Sequence, residues 1–527
     1  MAESGAVRTI PEIVDRHGAT RGERLAYRFE GRETTYAQFQ RNTNRVANGL
    51  MAAGLSPGSR LAYYGKNSDH YFELLIGAMK AGVVMTPINW RLAPPEVAYI
   101  IKDAEAPALF FGAEFAATVR QVLPRLPLLH LVVIMEGQDQ GWTDYETWRD
   151  AQADTAPASA IDADAVAMQL YTSGTTGNPK GTMLTHRNFV DLRDEGKYGP
   201  TPDWNQWSED DAALVAMPVF HIGGSGWGLF ALFYGALSVV AREFDPTAVL
   251  DYFERDRISK LFLVPAAMQF IVRHPRARQV DYSRLKYIMY GASPIPADLL
   301  RECIEVFKCG FVQVYGMTET TGTITVLSPE DHTLDGAPRM RSAGKALPGV
   351  EVAIVDAEGR RLPAGQVGEI ATRSQANMAG YWHLPEAAAR TMSPDNWLRT
   401  GDAGYMDADG YVYIQDRIKD MIISGGENIY PAEVENAVFG HPAVAEVAVI
   451  GVPDETWGES VKAIVVLKKD AEASPADIIA WTRQRIAAFK TPKSVEFVAA
   501  LPRNATGKIL RRQLREPYWQ GRERGVN

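Results

Sequence analysis

"YTSGTTGNPKGTMLTHRN", Tyr171 to Asn188, gathers glycines, hydroxyl side chains and a single lysine at its start. Such a composition suits a loop whose backbone N–H groups converge on phosphate oxygens, with hydroxyls adding donors and a cation offsetting charge. Gly174, Gly177 and Gly181 supply the pliable backbone, Thr172, Ser173, Thr175 and Thr176 the hydroxyls, and Lys180 the cation. The stretch is not the P-loop of the nucleoside triphosphatases. Pro179 stands where that pattern needs its second glycine, and Gly181 where it needs a hydroxyl. Taken alone it also reads as an exposed turn between two elements, so the rest of the chain has to decide.

Around it, apolar runs alternate with amphipathic ones. "RLAYYGK" and "VVMTPIN" predict strands, and "DHYFELLIGAMKAG" between them predicts a helix closed by Gly82, together a βαβ unit. The alternation returns in "ALVAMP", "DPTAVLDYFERDR" and "ISKLFLVP", then in "YIMYGAS", "PADLLRECIEVFK" and "FVQVYGMTE". This predicts an α/β fold with parallel sheets covered by helices and ligands bound where strands end in loops. From Gly344 to Asp416 short strands with Gly and Pro turns predict a smaller β subdomain. Beyond Lys419, "PAEVENAVFGHPAVAEVAVIGVPDETWGESVKAIVVLKK" reads as helix, strand, strand, a compact α+β unit.

Bulk properties narrow the function. A chain of 527 residues that is 46% apolar and 23% charged is globular and needs more than one core. A net charge of −9 argues against nucleic acid as a partner. Only the tail from Arg503 to Arg524 is locally basic, which fits either a polyanionic small molecule or a solvated helix face. Cys303 and Cys309 match no zinc or redox spacing, and "MAESGAVRTIPEIVDRHG" lacks the apolar run of a signal peptide, so a reducing, cytoplasmic location is expected. Val219 to Ala241 is uncharged apart from His221 and long enough to cross a bilayer, yet holds five glycines. It predicts a buried helix ending near Gly235, then a core strand "LSVVA", rather than a transmembrane span.

Four further stretches complete the pattern: "MPVFHIGG" at Met217 to Gly224, "YGAS" at Tyr290 to Ser293, "VYGMTETTG" at Val314 to Gly322, and "LPRNATGKILRRQL" at Leu501 to Leu514. With "WLRTGDAGYMDADGYVYIQDRIKDMIISGGENIYPAEVE" at Trp397 to Glu435, and in this order, they resemble the adenylate-forming superfamily of acyl-CoA synthetases, peptide-synthetase adenylation domains and beetle luciferases. The resemblance implies a large N-terminal region over 1–416, made of two βα-layered subdomains and a β subdomain. It also implies a hinge at 417–420 and a small mobile C-terminal domain over 421–527. Under it, the loop Thr172, Ser173, Gly174, Thr175, Thr176, Gly177 and Lys180 embraces the β- and γ-phosphates of ATP.

The same resemblance assigns roles residue by residue. Lys508 is similar to the catalytic lysine that bridges carboxylate and phosphate oxygens. Thr318 and Glu319 match contacts to the α-phosphate and Mg²⁺, with Thr175 a second metal contact. Gly291, Ala292 and Ser293 resemble the adenine-side wall, and Tyr315, Gly316 and Met317 the strand end at which the tyrosine stacks on adenine. Asp402 matches the acid that accepts from both ribose hydroxyls, Arg417 a second ribose contact, and Lys419 the hinge position. Gly425 and Gly426 resemble the loop that lines the pantetheine tunnel of coenzyme A, and Trp457 and Lys493 match contacts to its nucleotide. An ionised carboxylic acid attacks the α-phosphorus unaided, so the chemistry calls for positioning and charge stabilisation and not for a general base.

For the acid itself, the resemblance makes His221, Gly224, Trp227, Gly228, Gly322 and Ile324 candidate pocket lining, with His221 as gate. Together with Gly226 and Phe230 these offer no fixed charge, which disfavours amino acids and dicarboxylates and favours an apolar tail. The expectation is an ATP-, Mg²⁺- and CoA-dependent ligase of a medium- or long-chain fatty acid, an aromatic or alicyclic acid being the alternative. An acyl-AMP ligase loading a carrier protein and a nucleotide-binding regulator without catalysis are the other readings. Peripheral membrane contact and a homodimer stay open.

Overall fold

A computed structural model describes residues 7–172, 179–293, 295–333, 338–417, 420–424, 427–503 and 509–520, without the side chains of Arg417 and Asn428. The predicted βαβ unit forms as strand Arg60–Tyr64, helix Asp69–Lys80 and strand Val84–Ile88, the two strands in parallel register. Ser68 caps the helix by accepting from the Tyr71 backbone N–H at 3.0 Å. Every residue of this helix is buried, because it lies within the core and not on its surface.

Among the described residues the strands form four sheets. In the first, strands Leu25–Phe29, Leu237–Val240, Ala212–Val215, Lys260–Leu263, Tyr287–Gly291 and Gly310–Tyr315 run parallel in that spatial order. The second has a parallel centre of Val166–Thr172, Val84–Ile88, Arg60–Tyr64, Ala108–Gly112 and Leu131–Met135. Lys180–Thr185 pairs antiparallel with Val166–Thr172, and the short strand Gly380–Tyr381 adds outside it, with Tyr381 opposite Thr182. An antiparallel sheet of Glu351–Val355, Gly368–Arg373, Trp397–Met406 and Val412–Arg417 is the predicted β subdomain. The fourth sheet, built on Val444–Asp454 and Gly458–Leu467 with helices Pro431–Phe439 and Pro475–Arg483, is the α+β unit.

The fold is thus α/β, with a large N-terminal part and a smaller C-terminal domain. The two parts touch where the Asp416 carboxylate accepts from the Ala432 N–H at 2.9 Å, capping the first turn of the following helix. The uncharged stretch around His221 becomes helix Ile222–Tyr234 and strand Leu237–Val240, as the sequence predicts. Gly235 closes that helix at φ +71°, a conformation open to glycine at no steric cost. No helix among the described residues is long and apolar enough to cross a membrane.

Candidate active site

Three strand ends meet at one cleft. Thr172 ends Val166–Thr172, Gly291 ends Tyr287–Gly291, and Tyr315 ends Gly310–Tyr315. A β-carbon on Gly291 would come within 2.2 Å of the Val314 carbonyl oxygen, so the close approach of these two strand ends requires glycine. Ala292 follows at φ +68° and faces the cleft.

The turn after Tyr315 carries the acid of the site. Glu319 is buried on the short helix Thr318–Thr320, and its backbone is pinned because its carbonyl accepts from the Met378 N–H at 2.8 Å. Its carboxylate accepts from the Tyr381 hydroxyl at 3.0 Å and from the Thr172 hydroxyl at 3.4 Å. Burial first, and the neighbouring carboxylate second, push the Tyr381 phenol far up, so it stays a donor at any working pH. Lys180 Nζ lies 5.0 Å from the centroid of the same tyrosine ring. Phosphate-loop end, acid and lysine are therefore joined through Tyr381, which the sequence reading did not single out.

Among the described residues no cation lies within ion-pair distance of Glu319. One buried carboxylate without a counter-charge, flanked by hydroxyls, is the donor set a hard divalent cation takes when phosphate and water complete its shell. A second cluster looks superficially similar. Asp69, His70 and Glu136 bring ligand atoms within 4.8 Å of one another. There, however, the Arg32 guanidinium already sits between the acids, 2.6 Å from Asp69 and 2.9 Å from Glu136. That cluster is an ion network.

Tyr315 donates its hydroxyl to Asp402 at 2.7 Å, and Asp402 is held on its strand by its own N–H bond to Thr400 Oγ1 at 3.1 Å. Arg417 pairs with Asp402 in backbone register. Gly316, Met317, Thr318 and Gly322 line the cleft, while Ser293 is half-buried beside the strand end. Trp457 and Lys493 are both exposed on the C-terminal domain. Ser173, Gly174, Thr175, Thr176, Gly177, Lys419, Gly425, Gly426 and Lys508 lie outside the described residues.

The cleft has a volume of about 1940 Å³. His221, Gly224, Trp227 and Gly322 line it. Two expected residues do not: Ile324 is buried elsewhere, and Gly228 faces the core, where a β-carbon would meet the Phe72 ring at 2.3 Å. Gly224 likewise owes its identity to the core, since a β-carbon there would strike the Pro218 carbonyl at 2.2 Å. His221 presents an Nε2 with no hydrogen-bond partner, and burial, aided by Arg91, holds its pKa down at about 4. Its imidazole is neutral at physiological pH.

The wall opposite comes from a segment that no periodicity placed. Phe189, Leu192, Arg193, Tyr198, Trp204 and Asn205 complete the cleft, so the lining contains a cation that the glycine-rich motif alone does not reveal. The basic tail is internally matched: Arg511 binds Glu435 at 2.7 Å, Arg503 binds Glu446 at 2.6 Å, and Arg515 approaches Asp420 at 3.6 Å. Several of these arginines form the rim.

Comparison with known proteins agrees with this geometry. Residues 14–382 match the model of the AMP-binding enzyme family, and residues 433–508 that of the AMP-binding enzyme C-terminal domain. The chain belongs to the AMP-binding enzyme family. It is an adenylate-forming acid–thiol ligase. It is 42% identical over 99% of its length to a fatty acid–[acyl-carrier-protein] ligase of Streptomyces coeruleorubidus, covering 98% of that protein. It is 39% identical to a feruloyl-CoA synthase of an Amycolatopsis species over 94% of this chain and 96% of the relative. Among solved structures, an anthranilate CoA ligase in complex with anthranoyl-AMP superposes with a TM-score of 0.88 at 30% identity, covering 97% of each chain.

Proposed function

We propose that this ligase activates a hydrophobic carboxylic acid with ATP and passes the acyl group to coenzyme A in the cytoplasm, the acid being a medium- or long-chain fatty acid. The observation that carries the reading is the single cleft in which Glu319, Thr318, Thr172 and Lys180 share a space with an aromatic and aliphatic wall. In the first step a carboxylate oxygen bonds to the α-phosphorus and the bond to pyrophosphate breaks. In the second the thiol sulfur bonds to the acyl carbon, AMP leaves, and the thiol proton passes to water or phosphate.

Each residue then has a defined task. Thr172 and Lys180 orient the phosphates, joined by Ser173 to Gly177. Glu319, steadied by Tyr381, would hold Mg²⁺ with Thr175, and the ion would supply charge to neutralise the phosphates. Lys508 offsets the repulsion between carboxylate and triphosphate. Asp402, Tyr315 and Arg417 hold the nucleoside against the wall of Gly291 to Ser293, and His221 gates the acyl end as a neutral ring. Rotation about 417–420 brings Gly425 and Gly426 toward the thiol path, with Trp457 and Lys493 on the nucleotide of coenzyme A. The two free cysteines, one buried and one half-buried, accord with a reducing compartment.

Two alternatives have an observation behind them. The aromatic lining from Tyr198 to Phe230 favours a ring-bearing acid, as does the likeness to a feruloyl-CoA synthase. Transfer to a carrier protein is supported by the likeness to the Streptomyces coeruleorubidus ligase. The test incubates the protein with ATP, Mg²⁺ and a pool of fatty, aromatic and alicyclic acids, offering coenzyme A or a phosphopantetheinylated carrier protein, and identifies products by mass spectrometry. A CoA thioester that disappears with Lys508→Ala supports the proposal. Product on the carrier alone transfers it to the second acceptor, and ATP binding with no adenylate from any acid overturns it in favour of a regulator.

A further inference from the structure

The cleft wall contains a charge that no acid among the described residues balances. Arg193 follows the short helix His186–Val190, and its guanidinium lies 4.8 Å from the Phe230 ring centroid and 5.5 Å from that of Phe233. One terminal nitrogen donates to the Phe189 carbonyl, while Nε is closed off from solvent and bonds to nothing among the described residues. Burial lowers the pKa of the group below that of an ordinary arginine. Aromatic faces and one carbonyl offset only part of the cost of desolvating a guanidinium.

The acids nearest in sequence are all committed elsewhere. Asp191 accepts from Lys197 at 2.9 Å and from the Tyr198 hydroxyl at 2.6 Å. Asp194 accepts from the Gly196 N–H at 3.0 Å, and Glu195 from the Thr201 N–H at 3.1 Å. Arg193 has no carboxylate partner within ion-pair distance among the described residues, although it lines the cleft.

Two polar atoms beside it are also unsatisfied among the described residues. Asn205, on the cleft wall, buries Oδ1 without a partner, and Trp207, on a small adjoining cavity, does the same with Nε1. Tyr234 lies between them: its ring stacks on Trp207 with centroids 5.8 Å apart, and the Arg193 charge acts on its phenol. Orphaned buried groups are few in folded proteins, and a half-buried guanidinium on a cleft wall with no acid beside it points to a ligand that completes it. Arg193 presents only N–H donors, so its missing partner is an acceptor.

We infer that the acid this enzyme activates carries an oxygen acceptor at the end remote from its reacting carboxylate, and that Arg193 is the residue that selects it. A hydroxyl, a keto oxygen or a second carboxylate shares this chemistry on a fatty or a ring-bearing tail. The inference rests on the ligase reading above and replaces its wholly apolar tail with one that is apolar in the middle and oxygenated at the tip.

The experiment measures kcat/KM for matched acids: decanoate, 10-hydroxydecanoate and decanedioate, and 3-phenylpropanoate beside its 4-hydroxy and 4-carboxy derivatives. Wild-type protein is compared with Arg193→Met and Arg193→Lys, each checked for folding by its thermal midpoint. The wild type is expected to prefer one oxygenated member of a pair at least tenfold. Arg193→Met should lose that preference and gain activity on the plain acid, with Arg193→Lys intermediate. Preference for the plain acid in the wild type, or an oxygenated preference that survives Arg193→Met, overturns the inference while leaving the ligase reading intact. Absence of adenylate and thioester with every acid defeats the ligase reading and this inference with it. The member preferred distinguishes hydroxyl from carboxylate.

Discussion

At the start of the helix Asp69–Lys80, Arg32 binds Asp69 and Glu136, His70 binds Glu136 at 2.9 Å, and Arg149 binds Glu73 at 2.9 Å. In the cleft, among the described residues, Glu319 has hydroxyl partners and no cation, Arg193 has aromatic faces and no acid, and His221 has an unpartnered nitrogen. Both regions bury charge, but among the described residues only the first pairs its acids with arginines. A buried charge is costly until it is paired. A network that pairs its own members spends that cost on holding the helix between the sheets. A wall that leaves its members unpaired keeps their interaction energy for what enters the cleft. The contrast separates a structural cluster from a site more sharply than residue types do, since both contain acids, a histidine and an arginine.

Breaking the matched region should produce the largest change in stability. In Glu136 burial opposes the charged carboxylate, yet the His70 hydrogen bond and the Arg32 charge outweigh it and hold the pKa down at about 2. Glu136→Gln leaves Arg32 and His70 beside a neutral amide and is expected to lower unfolding free energy by about 3 kcal/mol, as measured by urea denaturation. Loss of less than ~1 kcal/mol would mean that the network is not matched in the way its geometry implies. Tyr381→Phe tests the other side. It removes a hydrogen bond to a charged group worth ~1.5–3 kcal/mol, so stability should fall by no more than that while kcat/KM falls about 10- to 100-fold. Because Tyr381 acts through Glu319, the Mg²⁺ concentration for half-maximal rate should rise as well, which a packing defect alone would not cause.

The contrast also marks what could be seen in the sequence. Local signals were legible: the βαβ unit from Arg60 to Ile88 has apolar runs of the right length, a serine cap and a closing glycine, all within one stretch of chain. The strand-end positions Thr172, Gly291 and Tyr315 were legible for the same reason. Tyr381 was not, because it reaches Glu319 only after Gly380–Tyr381 adds to the edge of a sheet whose neighbouring strand lies some two hundred residues earlier. Gly228 misled for a related reason. A glycine signals close approach but not of what, and here the partner is the Phe72 ring. Arg193 is hardest to see: "DLRDEGK" surrounds it with acids, which suggests a surface ion pair, whereas the folded segment turns each acid to another partner.

The smallest expected effect sets His221 against His70 through pH. The His221 pKa is depressed to about 4 by burial and by Arg91. Between its ordinary value near 6.5 and about 4 the unfolded chain therefore binds more protons than the folded one. Its contribution to stability is present above about pH 6.5 and fades as the pH falls toward 4. His70 runs the other way. Burial disfavours its charged ring, but the hydrogen bond to Glu136 and the acids Glu73 and Asp69 prevail and raise its pKa. Its contribution is present below about pH 6.5 and fades as the pH rises through the folded value. Urea midpoints at pH 8, 6.5 and 5 separate the two. His221→Asn should reduce the loss of stability between pH 6.5 and 5 by about 1.5 kcal/mol at most, while His17 and His186, also depressed to about 4, keep a slope of their own. His70→Asn should instead weaken the protein most at pH 5, where its charge is fully matched. If both substitutions changed the same limb of the profile, the cleft histidine would not be an unmatched group, and the contrast between the two regions would fail at that residue.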